Sequence, residues 1–322
     1  MVIISDKVTV MIGGRRFTLA SAVAVATAVA AAAVCAACTS TGVSSAPPAG
    51  PSGPGVIDVV AAESQYGQVA AQIGGMYTRV TSVMTDPNTD PHSFEISTGV
   101  ARSIAAARVV VQNGLGYDGF MGRIESASPS RSRKVIVAAK LLGLPGGTAN
   151  PHLWYDPATM PKVAGAIAAA LAAADPAHAA YFEANVVRFR AGLQPWLSAL
   201  ARFRLQYPGV AVATTEPVAD YMLQAAGARN LTPFSFQADI MNGVDPAPQG
   251  IAVEDQLLQK RRVRALVYNE QVTDSLTEGF VRTARSAGIP VVGVYELLPT
   301  GESYAQWMLS TVQQLQKAVG GS

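Results

Sequence analysis

Charge is scarce in this chain. Asp, Glu, Lys and Arg together make up 14% of its 322 residues, and the formal net charge is only +2. No basic run of the kind that tracks a phosphate backbone is present, so nucleic acid is not an expected partner. Cysteine is scarcer still: Cys35 and Cys38 are the only two, both near the amino terminus. The folded part therefore has no disulfide and no thiolate metal site to offer. No segment repeats at a fixed short period, which excludes a solenoid. No HExxH pair is present, which removes the helix-borne zinc site of many metalloproteases. Histidine numbers three, and two of those three follow a proline.

The amino terminus is the one long apolar stretch. Residues 17–37 follow Arg15 and Arg16, consist mostly of Ala and Val, and end in small residues just before Cys38. That is the layout of a signal peptide. A retained span needs ~20 apolar residues, and this run is Ala-rich and followed by a flexible segment, so cleavage is the expectation. "CAAC" at 35–38 resembles a bacterial lipoprotein cleavage box, with Cys38 as the lipidated residue and Cys35 where Leu or Val is usual; an ordinary signal peptide is the alternative. Arg15-Arg16-Phe17 is a fragment of a twin-arginine signal. Met11 offers a second possible start. Residues 39–55 are mostly Ser, Pro, Gly and Ala, without charge, and they read as a flexible tether holding a domain outside the membrane.

A folded part of this length exceeds what one hydrophobic core usually covers, so two lobes are expected. Apolar runs of buried-strand type alternate with helical spacing from residue 56 onward: "VIDVVAAE", "TRVTSVMT", "RVVVQNG" and "KVIVAAK" read as strands, with helices between them. This predicts parallel sheet with helices on its faces over 56–176. Residues 157–176 form a helix that Pro176 stops or restarts. Residues 177–207 keep helical periodicity well beyond the ~11–12 residues of a mean helix, which predicts one long helix, bent near Pro195, between the lobes. The alternation then returns over 208–322, with "GVAVATTE", "RALVYNE" and "IPVVGVYE" as strands. The fold class is α/β, two Rossmann-like lobes about one long linking helix.

Four side chains stand after strands. His92, in "TDPHSFEIS", follows "TRVTSVMT"; His152, in "NPHLWYDP", lies in the loop after the strand near 134–138; Glu216 ends "GVAVATTE" and Glu296 ends "IPVVGVYE". Ligands of open α/β sheets bind beyond the carboxyl ends of strands. Two facing lobes would bring two imidazoles from one side to two carboxylates from the other, a donor set for a borderline divalent cation whose charge the two acids neutralise. The proline before each histidine restricts the loop that presents it. Singly, each residue has a plainer reading. Glu216 before Pro217 suits a helix start, Glu296 an edge acid, and Glu270 in "LVYNEQ" competes with it. Glu95 orients a ligand or starts a helix, and His178 belongs at the head of the long helix.

These motifs, in order over most of residues 56–322, resemble the metal-binding lipoproteins of ABC-type zinc and manganese importers, the cluster A-I solute-binding family. The stretches that carry the likeness are "DPHSFE", "NPHLWYDP", "TTEPVADYMLQAAG" and "IPVVGVYELLPTGESYAQWM", and "DPAHAAYFEANVVRF" resembles the start of that family's rigid interdomain helix. The resemblance implies a metal enclosed between two lobes, held by His92, His152, Glu216 and, across a small gap, Glu296. Glu216 sits where zinc-type members usually have His and manganese- or iron-type members often have Glu, and the long His-rich loop of many zinc members is missing. Zinc and manganese both remain open, since the Irving-Williams order favours zinc at any such site. The implied partners are a permease with its ATPase and, through the lipid, the membrane; a tethered two-lobed binder has no need of a second chain and is expected as a monomer without catalysis. Two alternatives stand beside this: a secreted zinc hydrolase using one glutamate as general base, and the same fold binding a chelate or organic solute beside Trp154 and Tyr155.

Overall fold

The structure, a computed structural model, describes residues 55–86 and 97–321. The expected signal and tether up to residue 54, with Cys35 and Cys38, lie outside the described residues, as do His92 and Glu95.

The first lobe runs β1 (Ile57–Glu63), α1 (Ser64–Gly74), β2 (Thr78–Met84), α2 (Thr98–Ala106), β3 (Val109–Gln112), α3 (Gly119–Ala127), β4 (Lys134–Val137), α4 (Ala138–Leu141) and α5 (Thr159–Ala174). Two helices follow, α6 (Ala179–Gly192) and α7 (Gln194–Gln206). The second lobe is β5 (Ala211–Thr214), α8 (Asp220–Ala225), β6 (Arg229–Asn230), α9 (Phe234–Met241), α10 (Pro248–Gln259), β7 (Leu266–Asn269), α11 (Ser275–Ser286), β8 (Val291–Val294) and α12 (Tyr304–Gly320).

Each lobe is a four-stranded, wholly parallel sheet. The orders are β2-β1-β3-β4 and β6-β5-β7-β8, with Val59 opposite both Val80 and Val109 in one sheet and Leu266 opposite Ala213 and Val291 in the other. Central strands with buried apolar runs, Val109–Val111 in β3 and Leu266–Tyr268 in β7, are what parallel sheets covered by helices require. The expected two α/β lobes are therefore the observed ones.

The linking segment differs in detail from the single bent helix expected over 177–207. It opens with a short 3₁₀ turn and then forms α6 and α7, which are separated at Leu193. Pro195 has no N–H to give the Ala191 carbonyl, so the ladder is interrupted just ahead of it, although Leu193 itself keeps helical dihedrals (φ −82, ψ −14). The proline thus begins α7 instead of bending one helix. "KVIVAAK" also divides: only Lys134–Val137 is strand, and Ala138 onward turns into α4.

One hydrophobic cluster runs through both lobes. It joins Val59 and Val111 of the first sheet, Trp154, Phe189 and Trp196 between the lobes, and Val267, Val294 and Trp307 of the second. Smaller clusters fill the far faces, around Val110 and Met121 in the first lobe and around Phe236, Leu258 and Phe280 in the second. The sheets carry Glu63 at the end of β1 and Asn269 at the end of β7, with Glu216 and Glu296 two residues beyond β5 and β8. Hydrogen bonds tie these ends across the lobes: Gln65 Nε2 donates to the Glu296 carbonyl (3.1 Å) and the Leu298 amide to Ser64 Oγ (3.0 Å).

Candidate metal centre

His152 is fully buried at the start of a 3₁₀ turn, Leu153–Tyr155, whose Trp154 ring packs edge-on against the imidazole at 5.4 Å. Its orientation is set by Asn150, whose Oδ1 accepts from both the His152 amide (3.0 Å) and the ring Nδ1 (2.8 Å). The other side of the Asn150 amide, Nδ2, donates to the Pro217 carbonyl in the second lobe (2.8 Å), and Tyr221 Oη donates to the Asn150 carbonyl (2.9 Å). A carbonyl can only accept, so Pro217 fixes which way the Asn150 amide faces, and Oδ1 in turn fixes the proton on Nδ1. Nε2 is left as the ring's variable position, the arrangement that a second-sphere acceptor gives to metal-binding histidines.

Nε2 faces Glu296 Oε2 at 3.2 Å, with both side chains fully buried. Tyr117 Oη also donates to Oε2 (2.8 Å). Glu296 Oε1 accepts from Asn269 Nδ2 (2.8 Å), and the same nitrogen donates to Glu216 Oε1 (3.0 Å). One amide therefore joins two buried carboxylates. Asn269 Oδ1 accepts from the Gln271 amide (3.1 Å), which settles that Nδ2 is the end facing the acids. Gln271 Oε1 accepts from the Glu296 and Leu297 amides and holds the loop after β8 in place.

The residues expected from the sequence thus meet in part. His152 and Glu296 touch, and Glu216 joins them through Asn269, while His92 lies outside the described residues. Among the described residues no three His, Cys, Asp or Glu side chains alone stand at metal-ligand spacing. Glu270, the competing acid, is exposed; its carboxylate lies over Gly293, where a Cβ would come within 2.5 Å of Oε1. His178 heads α6, stacks on Tyr77 with ring centres 3.9 Å apart and bonds Asp175 through Nδ1 at 2.6 Å. Sequence reasoning passed over Asn150, Tyr117 and Asn269. Only Asn269 carried a signal, as a polar residue closing an otherwise apolar strand.

A second carboxyl pair lies in the first lobe behind this centre. Glu63 and Asp118 are both buried; burial, and then the neighbouring Asp118 charge, hold Glu63 well above the ordinary carboxyl range. Burial raises Asp118 to about 6 against the pull of the Asn113 and Gly114 amides that donate to it. The pair flanks the centre through sequence neighbours, Gln65 and Tyr117, which both reach Glu296.

Comparison with known proteins agrees with the architecture. A family model described as zinc-uptake complex component A, periplasmic (ZnuA), matches residues 59–318. The manganese-binding lipoprotein MntA of Bacillus subtilis (strain 168) is 30% identical over 152 residues, 45% of this chain and 49% of that protein, so the match spans about half the relative's length. Among solved structures, a manganese-bound periplasmic metal-binding protein from Candidatus Liberibacter asiaticus gives a TM-score of 0.64 at 16% identity, over 80% of this chain and 98% of that one. A crystal structure of ZnuA gives 0.63 at 20% identity, over 82% and 97%. At such identities the structural likeness speaks for the fold.

Proposed function

The chain belongs to the zinc-uptake complex component A family, whose model covers residues 59–318, and we propose that it captures a divalent transition metal ion, zinc or manganese, between its lobes. His92, His152, Glu216 and Glu296 are the proposed ligands, and the ion is cargo, passed outside the cytoplasm to the permease of an ABC importer whose ATPase drives uptake. Lipid on Cys38 would hold the protein at the membrane, with residues 39–55 as its tether. The ion enters and leaves unchanged, so no catalytic step is assigned to any residue.

The observation that carries this reading is the meeting of His152 Nε2 with Glu296 Oε2 at 3.2 Å, while Nδ1 is committed to Asn150. Buried acceptors converging from two lobes, with a second carboxylate tied to the first, call for a positive charge between them. A divalent cation between them supplies that charge. The donor chemistry, imidazole with carboxylate and no thiolate, suits zinc or manganese.

Elemental analysis and metal titration of the purified protein test the reading. One equivalent of Zn²⁺ or Mn²⁺ is expected in the parent, lost in His152→Ala and in Glu216→Ala. A parent that takes up neither ion, or binding that survives both substitutions, would refute capture at this centre.

A further inference from the structure

The second sheet turns its carboxyl ends toward the candidate metal centre, and a different feature lies at its amino ends. There a cavity of about 660 Å³ opens between the starts of β7 and β8 and the last turn of α12. Arg261, Arg264 and Lys317 line it, and no Asp or Glu does. Among the described residues no ion pair engages any of these three cations. In a chain with little charge, four of the five positions 260–264 are basic: Lys260, Arg261, Arg262 and Arg264. A plainer account is that the cations answer helix ends. α10, α11 and α12 finish at Gln259, Ser286 and Gly320, beside this cavity, and Arg264 Nη2 does donate to the Val319 carbonyl at 3.1 Å. Yet each helix end carries only about half a negative charge, so three ends leave the lining cations in excess, before Lys260, Arg262 and Arg285 are counted.

Arg261 adds a second sign. It stands two residues past α10 at φ +50, where its amide donates to the Leu258 carbonyl at 3.0 Å and the Arg262 amide to the Leu257 carbonyl at 2.9 Å. Such a closing turn ordinarily takes glycine, because a side chain adopts a positive φ only at a cost. The guanidinium is carried over Gly288, with Nη2 3.8 Å from where a Cβ would stand. A costly backbone that delivers a cation to a cavity without acids points to a ligand that the fold itself does not supply.

We propose that this cavity is an anion site that takes a phosphate group, carried by free phosphate or by the head group of an anionic lipid. A guanidinium offers a planar fork of N–H donors that matches two phosphate oxygens, and Lys317 adds a compact point charge. Arg264 has one nitrogen on the Val319 carbonyl and keeps its other donors for a ligand. A phosphate presents more oxygens and more charge than a carboxylate, which suits three cations around one group. The cavity is roomy enough for the glycerol unit that a lipid head group attaches to its phosphate. This site lies at the opposite end of the sheet from Glu216, Asn269 and Glu296, so it stands whether or not the metal reading does.

The test titrates the full chain, held in detergent, with inorganic phosphate and with glycerophosphoglycerol, the soluble head group of phosphatidylglycerol. Two double variants are measured beside the parent: Arg261→Gln with Lys317→Gln at the cavity, and Arg123→Gln with Arg131→Gln, exposed on the first lobe, as a control of equal charge. Saturable binding of at least one probe is expected in the parent, unchanged in the control and weakened about tenfold or more in the cavity variant, the size of one lost hydrogen bond to a charged group. Tighter binding of the diester assigns the site to a lipid head group, and tighter binding of inorganic phosphate assigns it to the free anion. A parent that binds neither probe, or a control that loses as much as the cavity variant, overturns the proposal. Arg261→Gly keeps the question open to measurement even if the double variant does not fold. Glycine is at ease at φ +50, so this variant is expected to melt no lower than the parent and still to bind phosphate about tenfold more weakly. A glycine variant that binds as the parent does would remove Arg261 from the site and overturn the proposal.

Discussion

At His152 a chain of three groups decides which nitrogen is available: the Pro217 carbonyl sets the Asn150 amide, and the amide sets the ring. Removing the middle group should cost metal affinity without touching a ligand. Asn150→Ala is expected to weaken binding by about 10–100-fold, the usual size of an outer-sphere loss, with an unchanged far-ultraviolet circular dichroism spectrum. The buried acids give a second expectation at this scale. Asp118 moves from an ordinary 3.8 to about 6 and Glu254 from 4.5 to about 8, both chiefly through burial, so the folded state binds these protons more tightly than the unfolded state. Their contribution to stability is full below pH ~4 and is lost as pH rises through 6 and then 8. Glu63, raised well above the ordinary range chiefly by burial, adds to the same loss, so melting curves of Glu63→Gln should show less stability lost as pH rises than in the parent. The strand-end acids Glu216 and Glu296 were legible in the sequence because strands of this kind end at sites. Asn150 and Tyr117 were not, because an amide or a phenol takes its role only from what another segment places opposite it, and Asn269 showed only as a polar residue closing an apolar strand.

Among the elements, the longer strands of both sheets and the helices α1, α2, α5, α8, α10, α11 and α12 could be read from apolar runs and spacing. Those that escaped are short or locally determined. β6 has two residues, Arg229 and Asn230, and is a strand only because β5 lies beside it. α3 begins after the turn at Gly114, Leu115 and Gly116, all with positive φ, and is amphipathic over only nine residues. The α6–α7 break is a local effect of one missing N–H, which periodicity does not register. Helix starts offer a prediction here. α12 opens with a reciprocal cap in which Ser303 Oγ accepts from the Gln306 amide at 3.3 Å and Gln306 Oε1 accepts from the Ser303 amide at 2.9 Å. Ser303→Ala should lower thermal stability by about 1 kcal/mol while leaving one equivalent of metal bound, since the cap lies outside the centre.

For the whole molecule, an ion gripped from both lobes binds the folded chain and not the unfolded one. At a free concentration a hundred times its dissociation constant it should add ~2.7 kcal/mol to stability, seen as a rise in melting temperature that a chelator reverses. Glu296→Ala should abolish that rise, and a rise that persisted would place the ion elsewhere. The two lobes share one hydrophobic interior. Tyr304 of the second lobe packs its ring 6.4 Å from Phe189 and 6.0 Å from Trp196, and its hydroxyl donates to the Trp154 carbonyl at 2.6 Å. The Tyr155 hydroxyl donates to the Tyr295 carbonyl at 2.9 Å. Neither half is therefore a cartridge that could be exchanged for a relative's. A chimera that took residues 56–207 from one member and 208–322 from another would have to match a buried aromatic seam, and a half expressed alone would present that seam to water. Change in such a protein is confined to what the seam tolerates.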